Sequence, residues 1–251
     1  MSSDLTAQIR LSLQSQSLPV PSASWVQALI AARSPPPALP SLLATAKARL
    51  LAADLTTPNL LDVSTAALPA DIANAEVKET KLPRDTVVQV LDVENLSRSR
   101  WEQVEDLEAV ERGEQRAGRR IVRLPTAAEE DEDEGGGSSV SSAPAAQQGS
   151  AAGAQAKPAG NATHRLVLQD CKGTRLYALE LKRVARIGVG TTMIGEKILL
   201  SAGAVVARGT LLLEPTNCAV LGGKVEAWHA AWVTGRLKRL REAVGAEDRP
   251  K

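Results

Sequence analysis

The sequence predicts an α+β protein: an N-terminal three-helix bundle packed on a five-stranded β-barrel, with a long insertion between the first two strands and a C-terminal helix. Two changes of period and one peculiarity of composition carry that prediction. Apolar residues recur at helical spacing early in the chain, give way after Thr86 to short β-branched runs bounded by glycine turns, and return to helical spacing after Val225. The 251 residues include no Phe, one Tyr (Tyr177) and four Trp, so the core has to be assembled from Leu, Val, Ile and Ala.

Leu5, Ile9 and Leu13 mark the first helix, and Trp25, Leu29 and Ile30 the second, opened by the cap region around Ser22 and Ser24. Ser34-Pro35-Pro36-Pro37 interrupts the chain, and Leu42, Leu43, Ala46, Leu50 and Leu51 form the third stripe. Three such stripes have to be buried against one another or against a neighbouring unit. This gives a helical unit over residues 1–60, followed by an extended connector over 61–83. A barrel unit over 84–244 follows, with strands at 86–93, 165–169, 174–181, 197–206 and 210–214. Asp170-Cys171-Lys172-Gly173 and Ala207-Arg208-Gly209 supply hairpin turns. Pro215, which has no backbone donor, ends the last strand, and Gly222 and Gly223 reverse the chain. Short strands in this order, with a longer connection between the third and fourth, suit a Greek-key barrel of the OB type. One closing helix starts near Val225. Val225, Trp228 and Trp232 share one side of it and Val233, Leu237, Leu240 and Val244 another, one stripe for the barrel and one for the N-terminal bundle.

The insertion, residues 112–163, has two halves. Arg112, Arg116, Arg119, Arg120 and Arg123 make the first basic; six consecutive acids, Glu129 to Glu134, then lead into a Gly/Ala/Ser/Gln stretch. Such a composition buries too little apolar area to offset its ordering entropy, so the second half is expected to be disordered. A connection this long inside a small barrel is functional or a tolerated linker.

Composition and spacing restrict the chemistry. A net charge of +1 gives no global electrostatic case for nucleic acid or membrane. The N-terminus lacks a signal-peptide pattern and no apolar run reaches the length of a membrane span, so an intracellular, soluble protein is expected. Cys171 and Cys218 read as buried reduced thiols in strand-like contexts. His164 and His229 lie far apart in the sequence, without metal or triad spacing, and read as surface or half-buried residues. Gly190-Thr191-Thr192-Met193-Ile194-Gly195-Glu196-Lys197 resembles a phosphate loop. However, Glu196 stands where the lysine belongs, and a strand follows where the dipole of a helix is needed. No enzyme, metal or cofactor is expected. An OB barrel raises single-stranded DNA binding, which depends on aromatic stacking platforms. The predicted strands offer only Tyr177, so Lys182, Arg183 and Arg186, with Arg236, Lys238, Arg239 and Arg241, leave room for weak phosphate contact at most.

One family draws these pieces together. Arg208-Gly209-Thr210-Leu211-Leu212-Leu213, Pro215, Asn217, the Val220-Leu221-Gly222-Gly223 block and Val225 resemble the final strand and turn of the RecQ-mediated genome instability protein 1 family. Asp92-Val93-Glu94-Asn95-Leu96-Ser97 resembles the end of that family's first barrel strand, and Gly173, Thr174, Ala178 and Glu180 its second hairpin and third strand. The similarity is to the short, fungal-type members with one barrel. It implies a nuclear, non-catalytic subunit that binds topoisomerase III and a RecQ-type helicase, promotes double Holliday junction dissolution, and touches DNA weakly or through the complex. It also implies that the barrel packs on the topoisomerase while the insertion reaches its gate, favours the open state and promotes decatenation. On that resemblance the partner-binding residues of the insertion are Glu105, Leu107, Val110, Arg119, Ile121, Val122 and Leu124. On the barrel surface they are Lys172, Arg208, Glu214 and Asn217. An independent single-stranded DNA-binding module, and the related Tudor-containing partner of another topoisomerase III, are the alternatives.

Overall fold

Helical spacing at the N-terminus is realised as α1 (Ser2–Ser15), α2 (Ala23–Ala31) and α3 (Leu39–Ala52) in the computed structural model, which describes residues 2–32, 35, 37–113 and 162–245. The Ser22 hydroxyl accepts from the Trp25 amide at 3.2 Å and caps α2, while a proline in its first turn opens α3. Ile9, Leu13, Val26, Leu42, Ala46 and Leu50 bury the three stripes against one another.

The barrel comprises β1 (Thr80–Lys81), β2 (Thr86–Asn95), β3 (His164–Gln169), β4 (Arg175–Glu180), β5 (Lys197–Leu200), β6 (Val205–Ala207), β7 (Thr210–Leu213) and β8 (Cys218–Gly222). The sheet order is β1-β6-β7-β4-β3-β2-β5-β8, antiparallel except for β4 beside β7. One of the five expected strands, 197–206, is broken in two, and β1 and β8 are additional. A corner at residues 201–204, with Gly203 at φ +83°, separates β5 from β6, which stand toward opposite ends of the sheet order. That corner curls the sheet into an α+β fold's barrel. The proline stop also proves to be a corner rather than an end. The Asn217 side-chain oxygen accepts from the Glu214 amide at 2.9 Å, and the ladder resumes at Cys218 to pair with β5.

Residues 61–83 are not a free connector. Leu68, Ile72 and Leu82 enter the barrel core, β1 pairs with β6, and the buried Asp170 carboxylate accepts the Leu68 amide at 2.8 Å. The expected closing helix is two: α5 (Glu226–Thr234) and α6 (Arg236–Ala243), divided at Gly235. Trp228 and Trp232 of α5 pack on the barrel as their stripe requires. The second stripe lies elsewhere than expected, because α6 meets a helix that opens the insertion, α4 (Arg100–Glu111), instead of the N-terminal bundle.

The bundle reaches the barrel through other residues. Gln89, fully buried in β2, accepts the Leu55 amide at 3.0 Å and donates to Asp54 at 2.7 Å and to Gln169 at 3.1 Å. Lys197 Nζ, equally buried, donates to the carbonyls of Ala53 and Gly195 at 2.5 and 2.6 Å. Gly223, at φ +86°, lies so close to α3 that a Cβ there would stand 2.3 Å from the Leu51 carbonyl oxygen.

Candidate functional site

The excursion between β2 and β3 leaves and returns through one neck. The Leu96 amide donates to the Thr163 carbonyl at 2.9 Å, and the Thr163 amide to the Ser97 hydroxyl at 2.8 Å. From that neck α4 starts with a reciprocal cap: the Ser99 hydroxyl accepts from the Glu102 amide at 3.2 Å, and the Glu102 carboxylate from the Ser99 amide at 2.8 Å. The Ser99 amide, and then the Ser99 hydroxyl donating to the same carboxylate at 3.0 Å, hold the Glu102 carboxyl below its ordinary range. Arg98 pairs with Asp106, and Arg241 of α6 grips Glu108 through two nitrogens at 3.0 and 2.8 Å. Val104 turns inward, while Trp101 and Val110 stay 46 % and 45 % exposed. A helix fixed at its cap and along one side thus presents apolar side chains to solvent, the arrangement of a docking element.

The residues assigned by resemblance scatter over this geometry. Glu105 and Val110 are exposed on α4 and Leu107 is half-buried there; Arg119, Ile121, Val122 and Leu124 lie outside the described residues, as does the Gly/Ala/Ser/Gln stretch in the half of the insertion expected to be disordered. Parallel pairing of β4 with β7 places the β3–β4 and β6–β7 turns at one end of the barrel. Lys172 and Arg208 therefore stand at the end opposite the neck, whereas Glu214 and Asn217 follow β7 at the neck's end. Arg208, at φ +46°, is drawn onto the connector, its amide donating to the Val77 carbonyl at 3.1 Å. Asn217 is committed to its own corner, its side-chain amide donating to the Leu212 carbonyl at 2.8 Å. Glu214 pairs with Lys182 at 2.9 Å.

Burial revises the titratable residues. His164 was expected at or near the surface, yet it is 3 % exposed, its Nδ1 2.6 Å from the Glu180 carboxylate. The other Glu180 oxygen accepts from Arg183 at 2.7 Å and the Val184 amide at 3.0 Å. This cluster closes the barrel behind the neck, with His164 and Glu180 buried and Arg183 at its outer side. His229 is half-buried and accepts the Ile194 amide at 3.2 Å. Cys218 is buried; Cys171 sits half-buried in a turn, not a strand, and burial pushes both thiols up. Among the described residues, no cluster of three His, Cys, Asp or Glu side chains could hold a metal ion, and no helix is long and apolar enough to cross a membrane.

Most of the basic side chains are also spoken for. Lys182, Arg183, Arg186, Lys238 and Arg241 all face carboxylates, namely Glu214, Glu180, Glu196, Glu242 and Glu108. The exposed ring of Tyr177 has the Arg165 guanidinium 5.3 Å from its centre. The barrel strands thus offer one aromatic ring, already covered, and few uncommitted cations.

Sequence comparison agrees with this architecture. Residues 68–236 match the family described as RMI1, N-terminal OB-fold domain, and residues 13–58 match RMI1, N-terminal helical domain. The RecQ-mediated genome instability protein 1 of Schizosaccharomyces pombe is 38 % identical over 73 residues, covering 29 % of this chain and 30 % of that protein. The protein of the same name from Xenopus laevis is 36 % identical over 95 residues, or 38 % of this chain and 16 % of the frog protein. The chain thus aligns with less than a third of the length of either relative.

Proposed function

Because the chain belongs to the RecQ-mediated genome instability protein 1 family, we propose that it is a non-catalytic scaffold that binds topoisomerase III and a RecQ-type helicase in the nucleus. Its insertion bears on the topoisomerase gate, favours the open state, and so promotes decatenation and double Holliday junction dissolution. The observation that supports this reading best is the neck: a long excursion rooted at one point, opening with a capped and clamped helix that turns Trp101 and Val110 outward. A segment that contacts the open gate more favourably than the closed one shifts that equilibrium by its differential affinity. The root has to be rigid, or ordering it would consume the difference.

Independent binding of single-stranded DNA is less well supported, since base stacking needs free aromatic faces on the strands. Tyr177 is the single aromatic residue on the described strands, and Arg165 covers it.

Deletion of residues 112–130 tests the assignment, because it removes none of the described strands and leaves α4 whole. The shortened protein is expected to retain topoisomerase III in a pull-down and to support relaxation, but to lose stimulation of decatenation. Unchanged decatenation would remove the insertion from the mechanism, and loss of the pull-down would move it from gate control to assembly.

A further inference from the structure

We propose that the groove bounded by the end of β2, the start of α4 and helix α6 is a docking site for an acidic peptide segment of a partner protein, one that carries apolar side chains between its carboxylates. This surface goes beyond the scaffold reading and does not depend on what the insertion contacts.

The groove encloses about 520 Å³. Its apolar lining is aliphatic, from Val93, Leu96, Leu240 and Val244, and its cationic lining includes Arg100, Arg236 and Arg239. These three differ from the other basic side chains nearby: among the described residues none of them forms an ion pair, whereas Arg98 and Arg241 do. Arg236 and Arg239 share the ring of Trp232, their guanidinium carbons 5.5 and 5.7 Å from its centre. Their hydrogen bonds go to neutral oxygens, Gln103 Oε1 at 3.3 Å and the Trp232 carbonyl at 2.8 Å. Burial, and then the charge of Arg239, lower the pKa of Arg236, while the nearby Asp92 acts against them. Asp92 is occupied otherwise, accepting the Trp232 indole N–H at 2.6 Å and the Val93 amide at 2.8 Å. Glu94, the remaining carboxylate of the groove, is held by Arg165. Two like charges one helical turn apart over one indole, with no ion pair of their own among the described residues and only the nearby Asp92 to offset them, favour a ligand that places carboxylates between them.

The rest of the groove decides which anion fits. A nucleic-acid strand needs an open aromatic face as well as cations, and Trp232 has none to offer: its ring is under the two guanidiniums and its N–H is turned to Asp92. An aliphatic floor beneath a cationic rim instead matches a peptide whose Leu or Val side chains enter the floor while Asp or Glu side chains reach the rim.

Tryptophan fluorescence and calorimetric titration of the full chain test this. Four probes are used: a short synthetic peptide of acid–acid–leucine repeats, the same peptide with Gln for every acid, free inorganic phosphate, and oligo-dT. The acidic peptide is expected to bind saturably and to weaken as salt rises, with the other probes at least about tenfold weaker. Arg236→Gln with Arg239→Gln should weaken the peptide about tenfold. Arg100→Gln, on the exposed rim where folding is not at stake, should weaken it about threefold, and Lys78→Gln on the connector should change nothing. The proposal is overturned if no probe saturates, if the Gln peptide or oligo-dT binds as well, or if the arginine variants leave peptide affinity unchanged. It is also overturned in favour of an internal occupant if replacing the chain's own acids 129–134 by Gln raises peptide affinity about tenfold or more.

Discussion

Lys197→Met should remove a specific piece of the protein's pH dependence. The lysine is fully buried where the bundle meets the barrel, with its ammonium on two carbonyls and Asp54 close by. Burial lowers its pKa from 10.5 to about 8, against the opposing attraction of Asp54. The unfolded chain therefore keeps this proton up to about pH 10.5 and the folded chain only to about 8. Between those values the unfolded state binds more protons, so stability rises with pH. The penalty of burying the charge is present in full below pH 8 and is relieved above it. Integrating over the two pKa values gives a gain of about 2–3 kcal/mol between pH 7 and pH 10. Methionine matches the length without a charge, and the two carbonyls it leaves unpaired cost the same at every pH. Urea denaturation followed by circular dichroism at pH 7, 8, 9 and 10 on both proteins isolates the effect. The thiols of Cys171 and Cys218, raised by burial, lower stability at the alkaline end, but they do so in both proteins and cancel in the difference. Wild-type minus mutant stability should climb by that amount. A difference that stays flat within about 0.5 kcal/mol across the series would falsify the idea that the ammonium is buried at this junction.

Other substitutions probe the remaining long-range contacts. Gly223→Ala forces a Cβ onto the Leu51 carbonyl at a positive φ and should cost more than about 2 kcal/mol in thermal unfolding. Gly113→Ala, at φ +76° with open space around it, should cost only about 1 kcal/mol, and equal losses would make the contact irrelevant. Glu180→Ala takes the carboxylate from Arg183, which keeps only the Val184 and Ile187 carbonyls, and leaves the Val184 amide without its acceptor beside a buried His164; a loss of about 3–5 kcal/mol is expected from chemical denaturation. Ser99→Ala removes the hydroxyl half of the α4 cap, worth about 1 kcal/mol. Hydrogen exchange should quicken in α4 and not in β2 or β3; uniform quickening would mean that α4 is not an independent unit.

Local rules were enough for much of this architecture. The stripes from Leu5 to Leu51 specify three helices because helical spacing is a property of neighbours in sequence. Asp170-Cys171-Lys172-Gly173 specifies its hairpin because an Asp side chain can close its own turn, as it does on the Lys172 and Thr174 amides. Ser99-Arg100-Trp101-Glu102 carries a legible capping-box pattern, so α4 was available to a reading that looked for it. Gly235 marked the break between α5 and α6 in the same way.

The sequence by itself thus determined the helical stripes, the hairpins and the aliphatic core, and tertiary structure decided the surfaces. Nothing near Pro215 announces that the ladder resumes at Cys218, since the partner strand lies about twenty residues earlier. A bulge after Val90 shifts the inward face of β2 from Val90 to Val93, which turns Asp92 out toward Trp232, 140 residues away. Gln89 meets Leu55, Lys197 meets Ala53, and α6 meets α4 only when the chain is closed. Which arginines find a carboxylate and which do not is settled by those same closures. Period, turn and cap act over a few residues, whereas burial and charge pairing belong to the whole fold.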